Sequence, residues 1–323
     1  MEPCTFAEIE SDFDETVALV ASEQGVDPIC STSPWTSSVA AAFASNSRQQ
    51  VFTSAVGHVA LLDHETPNGR VLSSFDSVWG FATPFIGADP TSLVISIADL
   101  LPRLQFYALT VSGLDPNGPL FDEVQSLAPV GFTDTADRCI VDLREGFDTW
   151  LGRRSTRFRR SLRSAARRGE AAGIVVEHMQ PAAGESTTLA FDRLLAIEAT
   201  SWKTDAQTGL IDTDLGNFTR AMSQRFASAG GLRVQFATLN GADVGYVIGA
   251  RVGTRYRGFQ HSFNQGFPEL SIGKLLQYHT IAALAAEGVL TYDMGMHMGY
   301  KESYADRIES TVTAIIAGKS ASF

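Results

Sequence analysis

The chain has 323 residues, of which 44% are apolar, 10% aromatic and 19% charged. These values are typical of a globular protein and exclude a disordered or low-complexity chain. The net charge of −11 is unevenly spread: residues 1–145 carry 5 basic and 20 acidic side chains (−15), and residues 146–323 carry 20 and 16 (+4). An acidic surface disfavours DNA or RNA binding and tolerates a cationic substrate.

The N-terminus and the lengths of the apolar runs indicate where in the cell the protein is expected. Residues 1–15 are acidic, where a signal peptide would be basic and then apolar. No apolar run approaches the roughly 18 residues of a membrane span. Three widely spaced cysteines fit neither a disulfide framework nor a cysteine-rich zinc site. We therefore expect a cytoplasmic protein without a membrane span.

The first half is predicted to be mixed α and β. Helices are expected over 14–23 and 35–44. Strands are expected over 51–62, 70–75 and 104–111, because these apolar runs are separated by clusters of Pro, Gly and Asn. No cluster of catalytic residue types stands out in this half.

An arginine-rich segment begins the second half: residues 147–169 contain eight arginines. At 100° per residue, seven of them lie opposite an apolar stripe, so the segment predicts one amphipathic helix. The stripe consists of Leu151, Phe158, Leu162 and Ala165. Two interpretations stay open, namely a solvated face of a packed helix, or a surface for the phosphates of a cofactor or for an acidic substrate.

Regular elements follow from Gly231 onward. Two strands joined by Asn240-Gly241 predict a tight hairpin. The later elements are a strand over 255–263, a loop, a helix over about 274–287, a strand over 289–295, a short helix over 300–305 and a strand over 310–318. This order predicts an α/β sandwich with a strand–loop–helix junction in its middle.

The loop of that junction, residues 270–275, has the form of an anion-binding site. The first turn of a helix has unpaired N–H groups and a partial positive charge. Ser271 is expected to cap the helix, Gly273 to let a phosphate approach the backbone, and Lys274 to add a positive charge. Taken alone, the pattern is more often found in an ordinary capped helix.

Further motifs around the loop strengthen the prediction of an anion-binding site. They are Ser271-Ile272-Gly273, Asp293-Met294-Gly295, Tyr300-Lys301, the segment IEATSWK at 197–203 and the arginine-rich segment. In this order they resemble the acetyltransferase family associated with cellulose biosynthesis (CelD/BcsL-like), within the GNAT superfamily. The family usually has proline where this chain has Ile272, which leaves one extra N–H in the loop. The first half resembles the family more loosely, at Pro34-Trp35 and near Trp79.

The resemblance implies a mixed α/β fold with two GNAT-like domains in tandem. The first, over 1–146, would be degenerate, and the second, over 147–323, would be catalytic and bind acetyl-CoA or another acyl-CoA. The layout is related to that of the Fem peptidyltransferases, which use aminoacyl-tRNA. The residues expected to bind the cofactor are Leu270, Ser271, Ile272, Gly273, Lys274 and Leu275.

The implied reaction is direct attack of an amine on the thioester, which needs no Ser or Cys nucleophile. It needs a base for the ammonium, an N–H to polarise the carbonyl and an acid for the thiolate. The candidate acids, expected on a helix after the fifth strand, are Tyr300 and Tyr304. The candidate bases are His261, Asp293 and Glu198. The candidate acceptor contacts are Trp202 and Lys203, expected on a helix with Glu198, and Lys301.

The expected partner is an amine of a small molecule, amino sugar or peptide, bound by a monomer or homodimer that does not bind DNA. No ligand spacing indicates a metal. A Fem-like, aminoacyl-tRNA-dependent transferase stays open, although the acidic first half and the absence of a coiled-coil arm disfavour it. A non-catalytic acyl-CoA sensor stays open as well.

Overall fold

The computed structural model describes residues 1–76, 78–104, 106–127, 130–133, 135–201, 203 and 209–318. The chain forms two compact units. The first contains the residues up to Asp137 and those from Ser310 on, and the second is Arg138–Glu309. The boundary that we expected between 146 and 147 lies within the second unit, because the strand before it already pairs with that unit's sheet.

The elements follow one another in this order: β1 (Glu2–Cys4), α1 (Phe6–Gln24), α2 (Ser33–Phe43), β2 (Arg48–Ser54), β3 (Gly57–Thr66), β4 (Gly69–Ser74), β5 (Phe85–Gly87), α3 (Pro90–Leu104), β6 (Ala108–Leu114), α4 (Pro119–Ser126), β7 (Val130–Phe132), β8 (Ala136–Asp142), α5 (Gly146–Arg153), α6 (Thr156–Ala171), β9 (Val175–Met179), α7 (Glu185–Glu198), α8 (Asp214–Ser228), β10 (Leu232–Leu239), β11 (Ala242–Val252), β12 (Arg255–Phe263), a 3-10 turn (Pro268–Leu270), α9 (Ile272–Ala286), β13 (Thr291–Met296) and β14 (Arg307–Ala317).

The sheet of the first unit has the strand order β1-β2-β3-β4-β6-β14, with β5 beside β3 and β7 beside β14. Its only parallel pair among the described strands is β4 with β6. Each face carries its own apolar core. Helices α3 and α4 pack on one face, and α1 with α2 packs on the other.

The sheet of the second unit has the strand order β8-β13-β12-β11-β10-β9. Within the described ranges, β12 and β13 form its parallel pair. The predicted hairpin of β10 and β11 is confirmed, since Asn240 and Gly241 take positive φ values of 52° and 79° between the paired residues Leu239 and Ala242. Helices α6 and α9 share an apolar core against β10 and β11, which holds α6 along α9.

The two sheets repeat one pattern, and the expected mixed α/β class is confirmed. Three antiparallel strands (β2-β3-β4 or β10-β11-β12) are followed by a helix and a parallel strand (β6 or β13). A strand remote in sequence then completes each sheet. Strand β14 pairs with β6, and β8 pairs with β13.

Several local expectations need correction in the first half and in the arginine-rich segment. The strand expected over 51–62 is the hairpin of β2 and β3, which turns before Gly57. The strand expected over 104–111 begins only at Ala108, because α3 extends to Leu104. The arginine-rich segment is two helices rather than one. It breaks at Ser155, whose Oγ accepts the N–H of Phe158 and so starts α6.

The helix expected over 300–305 is instead a run of turns. The backbone bonds there run from Lys301 N to Met298 O and from the N–H groups of Tyr304 and Ala305 to Lys301 O, which closes turns but no continuous helix. The N–H of Asp306 then turns away to the carbonyl of Ile140 on β8. Pairing with the sheet, which no local signal reports, overrides the helical pattern here.

The contact of α6 with α9 depends on Gly169. A Cβ atom at this position would collide with Cδ1 of Leu275, whose side chain is buried in the shared core. We expect Gly169→Ala to lower the free energy of unfolding by about 1–3 kcal/mol because the core is overpacked. The matched control is Gly152→Ala in α5, where a Cβ meets no atom within 4 Å.

The control variant should be neutral or more stable by up to about 1 kcal/mol, since alanine is the better helix former. Chemical denaturation measures both variants. Equal effects of the two substitutions would contradict the packing argument.

Candidate functional site

The junction of β12 and β13 is the centre of the second unit. The two strands pair only from Arg255 opposite Thr291 to Arg257 opposite Asp293, although β12 continues to Phe263 and β13 to Met296. We call the opening beyond this last pair the strand gap. Backbone N–H and C=O groups that lose their neighbouring strand are available to a ligand, and sites in open sheets gather at the carboxyl ends of parallel strands.

Asp293 anchors the point where the gap opens. Its carboxylate is fully buried, and Oδ2 lies 2.7 Å from Nη1 of Arg257 and 3.1 Å from Nη1 of Arg138. Oδ1 accepts the N–H of Gly295 at 2.7 Å. Buried charges need partners of this kind. These contacts favour a structural role for Asp293, and its assignment as a base stays a prediction.

The loop before α9 differs from the expectation in one respect. Ser271 has a left-handed φ of 53°, and its side chain does not cap the helix. Its Oγ instead accepts from Nη2 of Arg168 at 3.0 Å, so the expected side-chain cap is wrong. The backbone N–H groups of Ile272 and Gly273 donate to no acceptor in the described part of the chain. The helix therefore begins with two free donors.

Basic side chains surround these two donors. Nε of Arg168 on α6 donates to the carbonyl of Glu269 at 2.8 Å, which fixes the guanidinium beside the loop. Nζ of Lys274 reaches Oγ of Ser161 on α6 at 3.0 Å. Both cations are exposed, and they add to the positive end of the α9 dipole. One flank of the arginine-rich helix thus faces the loop.

Gly273 has a packing role as well. A Cβ there would lie 2.8 Å from Cε1 of Phe263 and 3.2 Å from Cε1 of His261, so glycine lets α9 start directly against the end of β12. Three of the expected cofactor contacts have buried side chains in the core beneath and can offer only backbone: Leu270, Ile272 and Leu275.

A buried polar cluster lies on the other side of β12. Glu198 is 1% exposed, and its carboxylate accepts from the hydroxyl of Tyr246 at 2.8 Å and from the N–H of Leu210 at 3.2 Å. It also lies 3.6 Å from Nζ of Lys203. That ammonium donates to Oε1 of Gln260 and to the carbonyl of His261. Burial lowers the pKa of Lys203.

The helix that we expected to carry Glu198, Trp202 and Lys203 together is wrong. Helix α7 ends at Glu198, and turns follow. Glu198 reaches Lys203 by folding back rather than across one helical turn. Trp202 lies outside the described residues.

His261 lies on β12 at the edge of the strand gap. Its Nε2 is buried and has no hydrogen-bond partner among the described residues, although the residue is partly accessible. Burial, reinforced by the charges of Lys203 and Lys301, lowers the pKa of His261 to about 3. The imidazole is therefore neutral near pH 7, and a base of such low pKa takes up protons poorly.

The turns after β13 carry the other candidates. Nζ of Lys301 donates to the carbonyl of Met296 at 2.8 Å, and burial lowers the pKa of Lys301 to about 8. Tyr300 is 49% exposed. Tyr304 is 4% exposed and packs its ring edge-on against Phe158, so burial raises the pKa of its phenol. Tyr300 can meet a ligand, whereas Tyr304 belongs to the core.

Several residues of this site were not predicted from the sequence. Arg138 and Arg257 hold Asp293, and Tyr246 with Gln260 completes the cluster around Glu198 and Lys203. The sequence offers one signal for such residues. It is a charged side chain at a strand position where the alternation of polar and apolar residues predicts the interior, as at Arg257. Within the described ranges no helix has both the length and the apolar character to cross a bilayer.

The comparisons with known proteins concern the second unit first. Residues 156–302, all within the second unit, match the family model described as an acetyltransferase (GNAT) domain. Over these residues the second unit is similar to a GNAT domain. No curated protein matches the chain significantly. The finer resemblance to the cellulose-associated family stays a prediction.

Solved structures match the whole chain at low identity. FemX is 10% identical, with a TM-score of 0.67 and 97% of each chain covered. A conserved protein of unknown function from Bacteroides thetaiotaomicron is 12% identical, with a TM-score of 0.64 and coverage of 95% of this chain and 97% of that one. The C-terminal domain of a putative lysylphosphatidylglycerol synthetase from Agrobacterium fabrum is 14% identical, with a TM-score of 0.60 and coverage of 96% and 92%. These similarities concern the fold.

Removing the charge of Asp293 tests its structural role. We expect Asp293→Asn to lower the free energy of unfolding by about 3–5 kcal/mol, because two buried guanidinium groups lose their counter-charge. The matched control is Asp192→Asn, whose carboxylate is exposed and lies 3.8 Å from Arg220. The control should change stability by less than about 1 kcal/mol. Urea denaturation compares them, and a fully stable Asp293→Asn protein would contradict the anchor.

His261 should make stability fall in acid. Its pKa in the folded state is about 3 against a usual 6.5, so below pH 6.5 the unfolded chain binds a proton that the folded chain refuses. The stabilisation is complete above pH 6.5 and is lost as the pH falls toward 3. We expect the pH dependence of unfolding between pH 6.5 and 4 to be shallower in His261→Gln by up to about 1.4 kcal/mol per pH unit. Identical slopes would show that the imidazole protonates freely in the fold.

Proposed function

We propose that this protein is an acyl-CoA-dependent N-acyltransferase. It would move an acetyl or longer acyl group to a primary amine of a small molecule, amino sugar or peptide. The observation that carries the proposal is the pair of free N–H groups of Ile272 and Gly273 at the start of α9. They lie inside the segment that matches the GNAT domain model.

The donor would bind along the loop and the strand gap. Two free N–H groups at a helix start suit the pyrophosphate of coenzyme A, and Arg168 with Lys274 supplies positive charge beside them. The unpaired backbone of β12 after Arg257 would accept the amide groups of the pantetheine arm. The described residues thus offer the pyrophosphate and the pantetheine arm chemically suited surfaces.

The reaction forms a C–N bond and breaks a C–S bond. The amine nitrogen attacks the thioester carbonyl and gives up a proton, and the departing thiolate takes one up. We assign protonation of the thiolate to Tyr300, because this residue is half-exposed in the turns after β13. Of the two tyrosines that we predicted as acids, Tyr304 is the less suited, since it lies in the core.

One further residue is a candidate for the base that removes the proton from the amine. Asp293 is held by arginines, and His261 has a pKa far below neutral. Lys301 has a pKa of about 8, so a useful fraction of its amine is neutral at the working pH of most enzymes. We assign proton uptake to Lys301, with Glu198 and Lys203 keeping β12 in place.

Two other functions give different outcomes in the same tests. A Fem-like transferase would bind aminoacyl-tRNA, and exposed arginines on α6 suit an anionic partner: Arg157, Arg160, Arg163 and Arg167. A sensor would bind acyl-CoA without turnover. Thermal shift with acetyl-CoA, longer acyl-CoAs and aminoacyl-tRNA, followed by thiol release across a panel of amines, separates the three.

The donor site is tested by removing charge rather than by enlarging Gly273, because a side chain there would strike β12. We expect Lys274→Ala combined with Arg168→Ala to weaken acetyl-CoA about tenfold or more, since two charge-assisted contacts with phosphate are lost. The matched control is Arg220→Ala, an exposed arginine on α8 of the same unit. Isothermal titration calorimetry measures each affinity.

The control should bind acetyl-CoA as the wild type does. Equal affinity of the double variant and the wild type would place the cofactor away from α9. Failure of every acyl-CoA to stabilise the wild type, at concentrations far above a micromolar affinity, would overturn the proposed function.

A further inference from the structure

The first unit contains a cavity of about 330 Å³. Strands β4 and β6 pair in parallel from Val71 opposite Ala108 to Ser73 opposite Thr110, and the cavity is lined by residues at and beyond this last pair. Its place in the first sheet is the same as that of the strand gap in the second. A volume of this size suits a small molecule.

Hydroxyl groups line the cavity because the strands alternate. On β6 and β14 every second residue packs into the core beneath: Leu109, Val111, Val312 and Ala314. The residues between them line the cavity: Thr110, Ser112, Thr311 and Thr313. Ser112 and Thr311 donate to the loop carbonyls of Ala82 and Gly80. The hydroxyls of Thr110 and Thr313 have no hydrogen-bond partner in the described part of the chain.

Asp76 borders the cavity, and its fully buried carboxylate lies behind the wall. Its buried carboxylate accepts the N–H groups of Trp79, Phe81 and Ala82 and, at 3.3 Å, the indole N–H of Trp35. All four donors are neutral, and no cation lies within salt-bridge distance among the described residues. Burial raises the pKa of Asp76, the four N–H donors oppose this shift, and no counter-ion offsets the charge of the ionised form.

Trp79 adds an aromatic wall to the cavity. Its ring is partly exposed and is supported by Trp35 at 5.2 Å and Phe43 at 5.5 Å between ring centroids. Aromatic faces attract cations, as the nearby carboxylate does. The lining residues include no Lys, Arg or His. The cavity thus favours a cation with hydroxyl groups and disfavours an anion.

We propose that this cavity binds a small hydroxylated primary amine of the amino-sugar class, held as its ammonium ion. The ammonium would lie toward Asp76 and Trp79, and the ligand hydroxyls would bind Thr110 and Thr313. The site lies wholly within the first unit and does not depend on acyl transfer in the second.

Binding is tested without any acyl donor by isothermal titration calorimetry of the full chain. Glucosamine is the probe, and glucose and N-acetylglucosamine are matched ligands that lack the positive charge. We expect glucosamine to bind at least about tenfold more tightly than either, because only the charged ligand is attracted by the carboxylate behind the wall and by the aromatic face. Equal binding of the three, or none by glucosamine, would overturn the proposal.

The location is tested by removing hydroxyls while keeping shape. We expect Thr110→Val and Thr313→Val each to weaken glucosamine about fivefold to tenfold. Thr238→Val on β10 of the second unit is the control and should bind as the wild type does. Unchanged affinity in both cavity variants, with their thermal unfolding also unchanged, would place any bound glucosamine elsewhere and overturn the assignment.

Discussion

The carboxylate of Asp293 lies between guanidinium groups from the strands on either side of β13. Arg138 comes from β8, Arg257 from β12, and all three side chains are almost completely buried. Since an unpaired charge in such a place is very costly, the three strands are held in one register. The same carboxylate receives the N–H of Gly295, so it also fixes the direction in which β13 leaves its neighbour. The strand gap follows from this arrangement.

Local sequence patterns predicted many of the helices and strands of the second unit. Asn240-Gly241 predicted its hairpin because only a few residue types accept two consecutive left-handed conformations. The strand before the loop and the helix after it were predicted within two residues, since their apolar periodicity is long and clear. The pairing of strands that lie far apart in the sequence was not predicted. Nothing in the local pattern of β8 or β14 shows which strand each will join.

The sequence predicted which residues lie near the candidate site better than it predicted how their side chains are arranged. Ser271 was singled out as a cap, yet a left-handed backbone gives its hydroxyl to Arg168. Gly273 was selected for close approach of a ligand, and it is equally required by the rings of β12. Glu198 and Lys203 do meet, but through a fold in the chain after α7. Residue type and spacing indicate chemistry, whereas the orientation of a side chain depends on long-range packing.

The position of β14 has a consequence for how the protein is made. The first sheet needs this strand beside β6, but its residues leave the ribosome only after the whole second unit has emerged. Domains usually fold in order of synthesis, with the N-terminal one first. Here the second unit acquires all its strands earlier, while β6 waits with one edge uncovered. An uncovered edge invites pairing with other chains, so the nascent first unit is the part of this protein most in need of a chaperone.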